Sequence, residues 1–373
     1  MAFLFCGKIE PFMQQSNFFE GLKVVELASV LAGPAVGMFF AELGAEVTKI
    51  ENKTTGGDVT RKWRLPSESK ETTYSAYYCS INWNKKVLMV DLKNLEERTK
   101  VLELIKEADI VISNFRKASA SKLGMSYEQL KEINPTLIFG LITAYGEEDP
   151  TPAFDVVLQA EAGFMYMNGE ADGQPVKMPV ALIDLLAAHQ LKEGLLLALI
   201  HKMRTGKGSY VSASLLHSAV ASLANQANNW LMGGHIPQRM GTQHPNIAPY
   251  GDIFRTKDGK QIILAVGTER QFVGLCNCLK MRLLLEDERF KYNHQRVKFR
   301  KELAQILAPV FKELNANSIL TELKSKGIPA ASIRNMKEVF QQPEIQNMVL
   351  TELMEDGLIS KRVTTVAFNL KTK

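Results

Sequence analysis

The stretch Lys23–Glu51, KVVELASVLAGPAVGMFFAELGAEVTKIE, decides the fold class. Lys23–Leu27 is a mostly apolar run of strand length. A turn containing Gly33-Pro34 follows, then an apolar helix that reaches Leu43. Gly44 stops that helix, and Ala45–Glu51 alternates apolar and polar residues as a second strand does. Strand, helix and strand in that order seed a parallel sheet, because strands that run the same way need a crossover between them.

The same grammar continues on the C-terminal side. Val87–Leu92 reads as a third strand and Glu96–Ala108 as a charged amphipathic helix. Asp109–Ser113 and Leu137–Ile142 supply a fourth and a fifth strand, so the first half is α/β of the doubly wound type. After the loop Asp149-Pro150-Thr151-Pro152, a helix is expected near Asp155–Asn168, then a glycine-rich turn over Gly169–Gly173. Val176–Ile183 reads as extended, and Asp184 opens a long helix that runs to about Arg204 and stops at Thr205-Gly206-Lys207-Gly208. Val211 begins a short strand and Leu215–Met232 a further helix. Past Gly241 the pattern changes, with a hairpin over Gly251–Val266 around Lys257-Asp258-Gly259-Lys260, and a second domain is expected from there to about Val339.

At 373 residues with a formal net charge of +5, the chain has ordinary globular composition and dispersed lysines. No clustered basic face calls for nucleic acid. No run is long enough to span a bilayer, and Met1–Asn17 lacks the basic leader and long apolar core of a signal peptide. A reducing cytoplasm is the expected location. The four cysteines (Cys6, Cys79, Cys276, Cys278) form no disulfide framework. Cys276 and Cys278 lack the companion ligands of a zinc site, so no metal is expected.

The motifs for several chemistries are missing. Gly33 and Gly37 do not make the G-x-G-x-x-G of a dinucleotide turn and read as sites of close helix–sheet packing, although Glu51 stands where a ribose-binding acid would. No H-E-x-x-H and no G-x-S-x-G is present. His189 and Glu193, four apart on the long helix, read as a surface pair. Asp184 is more informative. An aspartate at a strand-to-helix junction is commonly a helix cap. It also faces the ligand crevice of an α/β sheet, where a carboxylate can act as a nucleophile, and the two roles are compatible.

Taken in order, GLKVVELASVLAGPAVGMFFAELGAEVTKIE, GGDVTR, NWNKKVLMVDLK, ADIVISNFR, KLGMSYEQLKEINPTLIF, AFDVVLQAEAGFM, GEADGQPVKMPVALIDLL, RTGKGSYV, GTQHPNIAPYGDIFRTKDG and KGIPAASIRNMKEV resemble the class III coenzyme A transferases. That group includes crotonobetainyl-, formyl- and succinyl-CoA transferases and is related to the α-methylacyl-CoA racemases. The resemblance covers nearly the whole chain after Asn17. It implies a Rossmann-like large domain over residues 1–225, a smaller α+β domain over 241–339, and a segment 340–373 that returns to the large domain, in an interlocked homodimer. It also implies acyl-CoA and carboxylic acids as substrates. Asp184 would be the nucleophile, forming first an acyl-aspartyl anhydride and then an aspartyl-CoA thioester. A carboxylate at the positive end of a helix is expected to stay ionised at neutral pH.

The resemblance assigns coenzyme A contacts to Val30 and Ala32, to Asn52 and Lys53, to Val90, Asp91, Leu92 and Lys93, to Asn114, Phe115 and Arg116, and to Lys122 and Leu123. Asp155 would order the site. Asn246, Ile247 and Ala248 replace the glycine-rich substrate loop of formyl-CoA transferase, while Ser29 and Leu31 replace its histidine and glutamine, so formate and oxalate are not the expected pair. Phe154 replaces the histidine of the racemases and favours transfer. Racemisation and thioester binding without turnover are the alternatives. The family usually continues past VAFNL with a proline–glycine tail that this sequence does not carry before Lys373.

Overall fold

A computed structural model describes residues 17–370, so Cys6 and the leader region 1–16 lie outside the described residues. The first folded unit comprises residues up to Ala162 together with Met178–Leu231 and the segment from Gln342, and the second comprises Gly163–Lys177 and Met232–Gln341. Residues 163–177 were expected in the large domain. They join the second unit because Tyr166 Oη donates to Gln238, Arg239 donates to the Tyr166 carbonyl, and the Gly241 N–H donates to the Gly169 carbonyl.

The first unit is built on six strands: β1 (Lys23–Leu27), β2 (Glu46–Asn52), β3 (Lys85–Val90), β4 (Ile110–Ser113), β5 (Ile138–Thr143) and β6 (Ser209–Ser214). They are all parallel and lie in the order β3-β2-β1-β4-β5-β6. The order reverses between β1 and β4, so a crevice opens beyond their carboxyl ends. The central strands are buried on both faces, as Val24, Val25, Ile110, Val111 and Ile112 show.

The α-helices up to Gly233, in chain order, are α1 (Ala32–Glu42), α2 (Ala76–Ile81), α3 (Leu95–Lys106), α4 (Lys117–Leu123), α5 (Tyr127–Ile133), α6 (Asp155–Glu161), α7 (Phe164–Met167), α8 (Leu182–Thr205), α9 (Leu215–Ala221) and α10 (Ala224–Gly233). α1 is buried along its whole length and packs against α8. The helix expected over 155–168 is two, broken at Ala162-Gly163, where Gly163 takes φ +83° and starts α7. The helix expected over 215–232 is likewise interrupted at Ser222-Leu223. Apolar periodicity runs through both breaks and conceals them.

The segment after Gln342 contributes a hairpin, β10 (Val349–Leu353) and β11 (Ile359–Val363). It closes on α1 through one carboxylate. Glu42, 4% exposed, accepts from Arg362 at 2.7 Å, from the hydroxyls of Thr364 and Thr365, and from the N–H groups of Thr365 and Val366. The second unit holds the antiparallel sheet β7 (Tyr250–Arg255), β8 (Gln261–Ala265) and β9 (Ala330–Ser332). Its own core includes Ile262, Leu264, Phe272, Leu307, Phe311 and Leu323. Cys276 is buried there and Cys278 half-buried; Cys79 is buried in the first unit. No helix of the described residues is long and apolar enough to cross a membrane.

Candidate active site

The carboxyl ends of β3, β2, β1 and β4 are neighbours, and twelve of the thirteen positions expected to contact coenzyme A fall on or just after them or on α4. β2 ends at Asn52, whose side chain accepts from the Thr54 N–H at 2.9 Å and turns the chain. Lys53 pairs with Glu97, whose other oxygen accepts from the Asp91 N–H at 2.6 Å. Val90, the register partner of Asn52, closes β3, with Leu92 half-buried and Lys93 exposed beyond it. After β4 come Asn114, Phe115 and the exposed Arg116, and α4 carries Lys122 and Leu123. Val30 follows β1. Ala32 is the exception in placement, since it is the first residue of α1; it is buried, as is Val90.

Beneath this edge lies a group of charges that the sequence pattern did not disclose. Lys49 Nζ sits 2.8 Å from Glu26 and 3.1 Å from Asp58, and Lys85 Nζ sits 2.8 Å from the other Glu26 oxygen. All four side chains are sealed from solvent. Glu26 and Lys49 are register partners in β1 and β2, which is why they meet. A Cβ at Gly37 would overlap the Glu26 carboxylate, so that glycine is required by a close approach, though to a carboxylate and not to the sheet backbone. Burial pushes Asp58 up, but Lys49 and hydrogen bonds from Thr60 outweigh it and hold the group below the usual carboxylate range. Burial brings Lys85 down to about 8 against the pull of Glu26.

Glu51 has no place for a ribose. It is 3% exposed and receives Arg61 at 2.7 and 3.0 Å, Tyr78 Oη at 2.7 Å and the Asp58 N–H at 2.8 Å.

Asp184 is not the cap of its helix. α8 begins at Leu182, and Asp184 is its third residue, 8% exposed. The capping is done from 29 residues away: Asp155 Oδ1 accepts from the N–H groups of Ile183 at 2.7 Å and Asp184 at 3.4 Å. Gln159 fixes the other Asp155 oxygen at 2.6 Å and accepts the Met178 N–H at 2.8 Å. The donors at the start of α8 are therefore spent on Asp155. Burial, and then the charge of Asp155, push the Asp184 carboxyl up to about 7. The expectation that the helix keeps Asp184 fully ionised at neutral pH is corrected accordingly, since desolvation and a like charge win.

Tyr77, which the sequence reading missed, shares this corner. Its phenol is pushed up to about 12 by burial and then by Asp184, Asp155 and Asp58. No spacing or motif marks it. Phe154 caps α6 without a side-chain bond and is exposed. Asn246, Ile247 and Ala248 belong to the second unit. Asn293 and Arg296 hold the Ala248 N–H and carbonyl, Arg300 holds the Ile247 carbonyl, and Ala248 is fully buried. Among the described residues no group of three or more His, Cys, Asp or Glu is arranged to hold a metal ion.

The site is thus a buried carboxylate and a rim of basic side chains on a doubly wound sheet, a fold that by itself names no reaction. Comparison with known proteins makes this specific. Residues 19–373 match the model of CoA-transferase family III, and the chain belongs to that family. It is 39% identical over 353 residues to the succinate–glutarate CoA-transferase of Agrobacterium fabrum, covering 92% of this chain and 88% of that protein. It is 36% identical over 361 residues to the human succinyl-CoA:glutarate CoA-transferase, covering 96% and 81%. A crystal structure of a CaiB/BaiF family protein from Brucella suis superposes with a TM-score of 0.83 at 36% identity, covering 94% of this chain and 92% of that one.

Proposed function

We propose that the protein moves coenzyme A between carboxylic acids through covalent intermediates on Asp184. The observation that carries this reading is the Asp184 carboxyl itself: buried, in no ion pair among the described residues, and raised to about 7. A carboxylate of raised basicity is a better nucleophile than an ordinary one, yet about half of it is ionised at neutral pH.

Asp184 attacks the acyl-CoA thioester carbonyl, giving an acyl-aspartyl anhydride and coenzyme A thiolate. The thiolate attacks the aspartyl carbonyl of that anhydride, which frees the donor acid and leaves an aspartyl-CoA thioester. The acceptor carboxylate attacks this thioester and expels the thiolate again. The thiolate then takes the new acyl group and restores Asp184. No bond energy is lost to water, so neither ATP nor a metal is required. Asp155 holds the first turn of α8, and Lys53, Lys93, Arg116 and Lys122 would meet the phosphates of the cofactor.

The names of the relatives support short dicarboxylic acids such as succinate and glutarate as donor and acceptor. The family resemblance supports an interlocked homodimer and substrate contacts from Asn246, Ile247 and Ala248. The test is trapping. The protein is incubated with succinyl-CoA, quenched, and the peptide bearing Asp184 analysed by mass; an adduct there, absent in Asp184→Ala, is expected. Transfer at an undiminished rate by Asp184→Ala would sink the mechanism. Exchange of the α-hydrogen with solvent, without an adduct, would point to the racemase chemistry instead.

A further inference from the structure

We infer that Asp58, anchored by Lys49 and Glu26, is a positioning residue for the transfer reaction, acting by holding Val30 in the left-handed conformation that shapes the first βα turn. The inference rests on the reading that the thioester meets Asp184 at this edge of the sheet, and it adds a part that none of the expected site residues supplies.

Val30 has φ +73°, a conformation that a β-branched side chain disfavours and that glycine would adopt freely. Such a residue persists only where its surroundings over-determine it. Here they do so at three consecutive residues. The Ala28 carbonyl accepts from Lys49 Nζ at 2.8 Å. Ser29 exchanges two hydrogen bonds with Asn114, its N–H donating at 3.2 Å and its carbonyl accepting at 3.0 Å. The Val30 N–H donates to Asp58 Oδ2 at 3.2 Å. The clamping groups come from β2, from the loop after it and from the end of β4.

The clamped turn stands at the β1/β4 reversal, where doubly wound sheets receive their ligands. Two residues further on, α1 begins. A return of Val30 to negative φ would redirect Leu31 and Ala32 and with them the start of α1. Asp58 balances the second lysine of the sealed group, in which Glu26 already serves both Lys49 and Lys85. What Asp58 also adds is the link from that group to a backbone N–H of the turn, and a small misplacement at such a place costs rate more than affinity.

The test uses the full chain with succinyl-CoA and glutarate, or whichever acyl-CoA and acid pair the unaltered protein turns over fastest. Asp58→Ala is expected to lower kcat by about 100-fold while KM for the acyl-CoA moves by less than about fivefold. Asp58→Ala combined with Val30→Gly is expected to regain about tenfold, because glycine takes positive φ without a clamp. A purely structural Asp58 would give no such rescue. If Asp58→Ala does not fold, position 30 decides alone. Both position-30 variants lose the valine side chain, but Val30→Gly should retain at least about tenfold more kcat than Val30→Pro, which has neither the N–H nor access to positive φ. A double variant as slow as Asp58→Ala, or equal kcat for Val30→Gly and Val30→Pro, overturns the proposal. Asp184→Ala is measured beside them: continued transfer there ends the nucleophile reading and leaves the turn result to be judged on its own variants.

Discussion

Two groups of carboxylates lie in the first unit, and their opposite treatment separates scaffold from chemistry. Glu26 and Asp58 are sealed in with Lys49 and Lys85, and against the effect of burial Lys49 and the Thr60 hydrogen bonds hold Asp58 below its ordinary range. Asp155 and Asp184 are nearly as buried, yet no ion pair among the described residues reaches either, and Asp184 rises to about 7. Burial alone does not decide what a carboxylate becomes; the sign of its neighbours does. A compensated group becomes architecture, and an uncompensated one stays available for the chemistry proposed for Asp184, at a cost in stability.

The hardest way to break this contrast is to neutralise the reactive member. Asp184→Asn should reduce transfer on the order of 10⁴-fold or more, as loss of a covalent nucleophile does, measured as kcat with the fold checked by circular dichroism. Next, Lys49→Met strips Asp58 of its cation and leaves Glu26 with Lys85 alone, and should destabilise by about 3–5 kcal/mol, read from denaturant unfolding. A comparable loss in Asp184→Asn would erase the distinction.

The stability of Asp184→Asn should instead move the other way. The folded pKa of Asp184 lies above its unfolded value of 3.8. Below that value both states hold the proton, and the substitution changes little. From about pH 4 to pH 7 the unfolded state ionises while the folded state does not, so the unaltered protein loses stability progressively and by pH 8 has lost all it will. Asp184→Asn should therefore be more stable at pH 8 by roughly 4 kcal/mol, with the gain fading towards pH 4. The smallest effect sharpens the cause. The kcat/KM of the unaltered protein should climb through about pH 7 as Asp184 ionises, and Asp155→Asn, which keeps an acceptor for the helix N–H groups, should move that rise down by about one unit. An unmoved rise would leave burial as the whole explanation.

The first βαβ unit and the central strands were legible because apolar runs bounded by glycine turns encode them locally, whereas the expected coenzyme A contacts came only from the family series. Asp184 was legible only through its place in that series. Its tuning was not, since that depends on Asp155 arriving from a separate helix. The Glu26–Lys49 pair was hidden for a related reason: each is an unremarkable polar residue in its own strand, and only parallel register brings them together. Tyr77 and the clamp on Val30 are likewise products of long-range closure.

The Glu42 carboxylate in α1 shows what that closure means for synthesis. Its partners are Arg362, Thr364, Thr365 and Val366. On the ribosome the helix emerges well before these residues, with the contiguous bulk of the second unit made in between. Until those partners emerge, Glu42 must stay hydrated or be held by something else, so the first unit begins translation before the second and is completed after it. A nascent chain stalled before residue 362 would present an open α1 to chaperones and proteases, while the second unit already had all of its own residues.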